Sequence, residues 1–183
     1  MKYFFDTEFI EDGKTIELVS IGIVSELGRE YYAVSTEFDA SKAVPWVVEN
    51  VLNHLTVDGV RVEPDAWKPR AQIREEILAF VGNKPEFVAY CSSYDWVVLA
   101  QLFGRMIDLP KHFPHWCFDL KQLAEMKVKH VKPIQTNIHH ALDDAKWNKL
   151  YYSQLIELPY KDEKFMDRNG INLKERKKSK CIK

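Results

Sequence analysis

Asp6 and Glu8 stand two residues apart in the opening run KYFFDTEFI. Aromatic residues favour extended strands, and residues two apart on a strand face the same way. The two carboxylates therefore share a face, with Thr7 and Phe9 on the other. Like charges side by side in a partly dry place repel each other and resist desolvation. Further carboxylates stand at Asp95 in SSYDWVVL and at Asp143 and Asp144 in HHALDDA, directly after His139 and His140. Singly, these have plain explanations: Asp95 as a helix N-cap, Asp143 and Asp144 as complements of a helix dipole. Beside a carboxylate pair flanked by aromatic residues, they form the oxygen-rich set that hard divalent cations such as Mg²⁺ select. Two such ions about 3.5–4 Å apart clamp the attacking and leaving oxygens of phosphodiester hydrolysis. Cations would also let Asp6 and Glu8 stay charged.

The elements that must hold these residues can be traced along the chain. A first strand covers roughly Lys2–Ile10. After the turn EDGK, TIELVSIGIVS makes a second strand and YYAVST a third, an antiparallel meander because the connections are too short for crossovers. PWVVENVLNHL reads as a short helix with Pro45 in its first turn. TVDGVRVEPDAWKPR has no clean period and reads as a surface loop or insertion. AQIREEILAFVG has helical spacing and a glycine stop. EFVAYC is a short apolar strand followed by a helix ending near Gly104, and HWCFDL is a fifth strand that hands over to LKQLAEM. The last helix is expected from about His139 to Leu155. Three antiparallel strands followed by helix-separated strands predict an α/β fold, a mixed sheet with helices on its faces. Ligands in such sheets collect beyond the strand ends where the strand order reverses.

Composition narrows the setting. No apolar stretch approaches the ~18 residues of a membrane span, and the start of the chain does not read as a signal peptide. Three cysteines, Cys91, Cys117 and Cys181, form no even framework and no CxxC pair, which suits a reducing cytoplasm. The net charge of −1 is unevenly spread. Residues 161–183 carry nine Lys/Arg against four Asp/Glu, a surplus of +5, leaving −6 on the rest. The expected organisation is one domain over residues 1–160 and a flexible basic tail over 161–183. That tail is either a solvated end or the one region whose bulk charge favours a polyanion.

DTEF, YDWVVL and HHALDDA, in this order and on these elements, resemble the three signature segments of the DEDD 3′–5′ exonucleases, which have the ribonuclease H-like fold. The third has the His-x-Ala-Leu-x-Asp-Ala form of the histidine-bearing DEDDh branch. The opening stretch through AVSTEF is most similar to compact single-domain exoribonucleases of mycobacteria and phages. The resemblance covers residues 1–157 and implies a mixed sheet of five to six strands flanked by helices. It departs at Tyr90-Cys91, where many proofreading-type relatives have His-Asn.

The resemblance implies roles for particular residues. Asp6 would be shared between two Mg²⁺ ions, with Mn²⁺ able to substitute. Glu8 and Asp144 would hold the ion carrying the attacking water, and Asp95 would support the second. His139 would be the base, since an imidazole pKa near 6.5 suits proton transfer at neutral pH. Spacing alone pairs His140 with Asp144, and His139 with Asp143, four residues apart on a helix. The family pattern instead pairs His139 with Asp144, which requires His139 to lie before the helix. Phe9 would wedge against the terminal base or pack in the core, and the backbone N–H groups of Thr7 and Glu8 can serve the scissile nucleotide. Tyr94 and Trp96 can line the groove or simply pack. Cys91 is expected in the core, and Trp46, Trp67, Trp116 and Trp147 as packing anchors or dimer contacts.

The implied activity is release of nucleoside 5′-monophosphates from single-stranded or overhanging RNA 3′ ends by a homodimer away from membranes. The alternatives are a DNA 3′–5′ exonuclease and, further off, an inactive nucleic-acid-binding module.

Overall fold

The structure, a computed structural model, describes residues 1–161. The expected basic tail lies outside the described residues except for Lys161. In chain order, β1 is Lys2–Glu11, β2 Ile16–Ser25 and β3 Glu30–Ser35. Residues 45–55 are helical throughout, as α1 (Pro45–Val47), a π-helical turn (Val48–Leu52) and α2 (Asn53–Leu55). A small hairpin follows, β4 (Thr56–Val57) and β5 (Val60–Arg61), then β6 (Trp67–Lys68), α3 (Arg70–Val81) and β7 (Glu86–Ala89). The chain continues through α4 (Ser93–Gln101), β8 (Phe118–Asp119), α5 (Leu120–Met126) and α6 (Ala141–Ile156).

Six strands form the main sheet in the order β6-β3-β2-β1-β7-β8. β1, β2 and β3 pair antiparallel, whereas β7 runs parallel to β1, β8 to β7, and β6 to β3. This is the expected mixed sheet flanked by helices. The segment expected as a loop, residues 56–70, in fact contains the hairpin and β6. β6 escapes a pattern search because it is two residues long and owes its existence to pairing with Val34 and Ser35.

The pleat of β1 decides what each face receives. Tyr3 and Phe5 join Ile73 and Ile77 of α3 and Val98 and Leu99 of α4 in one core. Phe4 joins Leu120 and Leu123 of α5 and Tyr151 and Leu155 of α6 in another. Burying each such side chain contributes about 1.5–3 kcal/mol. By the same alternation Asp6 and Glu8 emerge on the α6 face, and Thr7 and Phe9 on the α4 face. The ladder with β2 shifts register between Glu8 and Phe9, a bulge of the kind that re-aims side chains beside active sites.

α6 lies unusually close to the sheet. Gly22 pairs with Asp6 across β1 and β2. A Cβ on Gly22 would stand 2.3 Å from the Ala141 carbonyl oxygen and from the Leu142 backbone. About two turns further on, buried Asn148 donates from Nδ2 to the Phe5 carbonyl at 2.9 Å. The chain stays tied to the domain through its last described residues: Lys127 lies over the Tyr160 ring at 3.7 Å, and the Lys161 N–H donates to the Met126 carbonyl.

Candidate active site

Along the carboxyl half of β1 and just past the end of β7 lies a cleft of about 610 Å³. Asp6, Glu8, Asp95 and Asp144 all line it, together with His139. Asp95, the third residue of α4, reaches β1 from the opposite face. Its Oδ1 accepts the Thr7 backbone N–H at 2.9 Å and the Thr7 hydroxyl at 2.7 Å. It is therefore held by the strand, and no side-chain cap bond forms at the start of α4. The Thr7 N–H, expected to be free for substrate, is taken by this carboxylate.

Asp144 comes from the first turn of α6, where Ala141 is the first helical residue, two later than expected. His139 precedes the helix with φ of +69°, a left-handed conformation uncommon outside glycine. This twist points its backbone N–H back at Asp144 Oδ2, 3.0 Å away. Its ring then lies toward Glu8, with Nδ1 3.9 Å from Oε1. One donor atom from each of Glu8, His139 and Asp144 lies within 4.8 Å of the others, a spacing that suits a metal ion. Gln135 donates from its amide to the other oxygen of Asp144.

Residues 1–156 match the family described as the 3′–5′ exoribonuclease Rv2179c-like domain. The chain belongs to that family. It is 46% identical over 151 residues to the 3′–5′ exoribonuclease Rv2179c of Mycobacterium tuberculosis, an alignment covering 80% of this chain and 88% of the relative. The counterpart from a second M. tuberculosis strain matches equally. Among solved structures, a zinc-bound complex of Escherichia coli exonuclease I with single-stranded DNA has a TM-score of 0.63 at 16% identity. It covers 85% of this chain but only 40% of that one. Pop2p of Schizosaccharomyces pombe, in its Mg²⁺- and Mn²⁺-bound form, has a TM-score of 0.59 at 15% identity, covering 84% and 82%. At such identities these two establish the fold alone, the ribonuclease H-like architecture. The family establishes a 3′–5′ exoribonuclease with a metal-coordinating active site.

The electrostatics of this exoribonuclease are those of a cation site. Burial pushes the Asp6 carboxyl well above the usual carboxylate range, and the charges of Asp95, Glu8 and Asp144 push it further. Burial, then Asp144 and Asp95, raises Glu8 to about 8. Asp95 is raised to about 6, with burial prevailing over its two bonds from Thr7. Asp144 is raised by burial, which outweighs its bonds from Gln135 and His139. All four resist ionisation as the protein stands. Oxygen donors in this state fit a hard divalent cation, whose charge would reverse the balance.

Phe9 and Tyr94 stack ring on ring, centroids 5.7 Å apart and 14° from parallel, and both line the cleft. Trp96 does not line it; the ring packs on Phe87 in the core, which is its bland expectation. His140 is held elsewhere, stacked on Tyr32 at 4.5 Å with Nε2 3.5 Å from Glu63. Asp143 bonds Asn137 and lies near Lys146, facing away from the cluster. Cys91 is a correction: β7 stops at Ala89, and Cys91, at φ +56°, is exposed in the cleft wall rather than buried.

Trp46 is the residue that sequence reasoning misplaced most. It is half exposed and meets the His139 ring edge-on, 4.8 Å between centroids at 82°. With Val44 and Val47 it forms an apolar wall facing the carboxylates. The signal available was a tryptophan directly after the N1 proline of a helix next to the meander. Trp147, in contrast, is the expected packing anchor, its Nε1 donating to the Pro133 carbonyl.

Proposed function

We propose that this exoribonuclease shortens RNA from its 3′ end by a two-Mg²⁺ reaction that releases nucleoside 5′-monophosphates. The observation carrying this reading is the convergence of Glu8, His139 and Asp144 within 4.8 Å, beside an Asp6 carboxyl that cannot comfortably ionise alone. Asp6 would be common to both ions, Glu8 and Asp144 would hold the one nearer His139, and Asp95 the other. When bound, the ions neutralise these carboxylates and the charge that develops on the phosphodiester.

The protein's own groups account for the remaining tasks. His139 takes the proton of the attacking water at a ring nitrogen, held in reach by its backbone bond to Asp144 and by the Trp46 edge. The Thr7 hydroxyl and N–H fix Asp95, leaving its second oxygen for the cation. Water adds to phosphorus, the bond to the 3′ oxygen of the preceding nucleotide breaks, and that oxygen gains a proton to become the new 3′ hydroxyl. The paired rings of Phe9 and Tyr94 offer a face for the terminal base, since aromatic stacking accepts any base.

Family membership favours RNA over the DNA alternative. A side-by-side digest of 3′-labelled RNA and DNA of one sequence tests it, with Mg²⁺, Mn²⁺ and chelator arms. The expected result is nucleoside 5′-monophosphate from RNA with either ion and none with chelator. Faster loss of DNA, or hydrolysis with chelator, would refute the reading. A homodimer is part of it, supported by the exposed apolar Val131 and Ile134 ahead of α6. Sedimentation at only the 21.5 kDa chain mass would remove that part. Among the described residues no helix is long and apolar enough to cross a membrane. The cysteine content supports a reducing cytoplasmic setting.

A further inference from the structure

A second hollow of about 510 Å³ opens beside the cleft, between the β1–β2 turn and one face of α4. It shares Glu11 and Tyr94 with the cleft, so Tyr94 is the partition between them. Ser93, Val97 and Gln101 line it at successive four-residue steps of α4, a single helix face. Val97 is an exposed apolar surface there, and Tyr94 is 58% exposed.

The turn side is polar and pre-shaped. Asp12 Oδ1 accepts the Lys14 and Thr15 N–H groups, and Glu11 accepts the Gly13 N–H at 2.9 Å. Both carboxylates are thereby committed to holding the turn. Lys14 forms no ion pair among the described residues and stands at the hollow's rim. A third hollow, at Tyr32 and Pro64, is lined by Glu63 and Asp65 and shares no residue with the cleft. That third hollow has no basic lining residue, whereas this one sets Lys14 beside a single lining carboxylate, Glu11.

We propose that the hollow between the β1–β2 turn and α4 is a second nucleotide subsite, holding RNA upstream of the scissile bond. It rests on the exoribonuclease reading above. An upstream base would lie on Val97 and the outer side of Tyr94, with Gln101 and Ser93 as hydrogen-bonding groups and Lys14 toward a phosphate. The subsite would set the length of RNA the enzyme prefers without touching the chemistry.

The test uses the full chain and two turnover substrates. One is the p-nitrophenyl ester of a nucleoside 5′-monophosphate, which has no upstream nucleotide; the other is a tetranucleotide RNA. Wild type should bind the tetranucleotide on the order of ten-fold better than the single-nucleotide ester, the scale of one stacked base. Val97→Glu and Lys14→Glu should each lose most of that gain while ester hydrolysis stays within about twofold. Binding of a non-hydrolysable phosphorothioate tetranucleotide against the matching mononucleotide gives a readout independent of turnover. A length gain kept by both variants, or no gain in wild-type binding, overturns the subsite. Absent RNA hydrolysis by wild type would instead sink the exoribonuclease reading, and the binding comparison would still decide the subsite.

Discussion

The backbone N–H of His139 bonds the side chain of Asp144 five residues later, at 3.0 Å. Helical spacing would have joined His140 to Asp144, but His139 lies before the helix in a left-handed twist, so neighbouring histidines part company. One faces Glu8 and the other Glu63.

His139→Ala should accordingly lower kcat by about 10²-fold or more, the loss of a general base, with affinity for a nucleoside monophosphate largely kept. His140→Ala should stay within a few-fold. Single-turnover rates for both variants check this, and a crippled H140A beside an active H139A would reverse the assignment.

Stability without metal should fall as pH rises. Glu8 holds its proton up to about 8 in the folded protein, against an ordinary value of 4.5. The folded state therefore binds more protons between these values, and unfolding free energy decreases across that window. Denaturant midpoints in chelator should drop from pH 5 to pH 8. Glu8→Gln and Asp6→Asn should flatten the slope and abolish hydrolysis. At pH 8, Mg²⁺ at a hundred times its Kd should restore about 2.7 kcal/mol to wild type and little to the variants.

Thr7→Val removes the hydroxyl that serves Asp95 while keeping side-chain shape. A bond to a charged group is worth about 1.5–3 kcal/mol, and the ionised form of Asp95 is the one that profits. The penalty in metal-free protein should thus be larger at pH 8 than at pH 5, below the Asp95 value of about 6. Urea unfolding at the two pH values measures it; an equal penalty would mean that Asp95 does not titrate between them.

Trp46→Ala should act through His139. With the ring gone, the imidazole loses its edge contact, and kcat should fall about 10- to 100-fold, as expected of a small misplacement. Trp46→Phe should recover much of it. A change confined to KM would mark Trp46 as a substrate contact instead.

Cutting the chain after Lys161 tests the basic tail. If the tail tethers RNA, KM for a ~20-nucleotide substrate should rise and the salt dependence of binding should flatten, with hydrolysis of a dinucleotide nearly unchanged. Unaltered KM and salt slope would make it a bystander. Cutting at 161 preserves the Lys161 bond to Met126.

Much of this site was legible because its parts are local. The alternation in KYFFDTEFI assigns Asp6 and Glu8 to one face, and the three motif segments bring the family with them. What escaped is set by tertiary contact. The Thr7–Asp95 bond joins residues 88 apart. Trp46 meets His139 only because residues 45–55 cross the cleft. Cys91 looks like the end of a strand in FVAYC, yet the chain turns before reaching it. β6 is two residues that become a strand because β3 offers them an edge.

Gly22 gives the arrangement a mechanical character. Where α6 crosses β2, main chain meets main chain, with no side chain between them. β2 is thereby held from the helix that carries Asp144 by the thickness of two backbones, and its pairing of Gly22 with Asp6 sets the neighbouring strand of Asp6 and Glu8 by the same measure. Such a gauge cannot be retuned by swapping one core residue for another of different size. The surrounding core can be repacked without touching that contact, but at Gly22 itself any side chain would have to displace backbone.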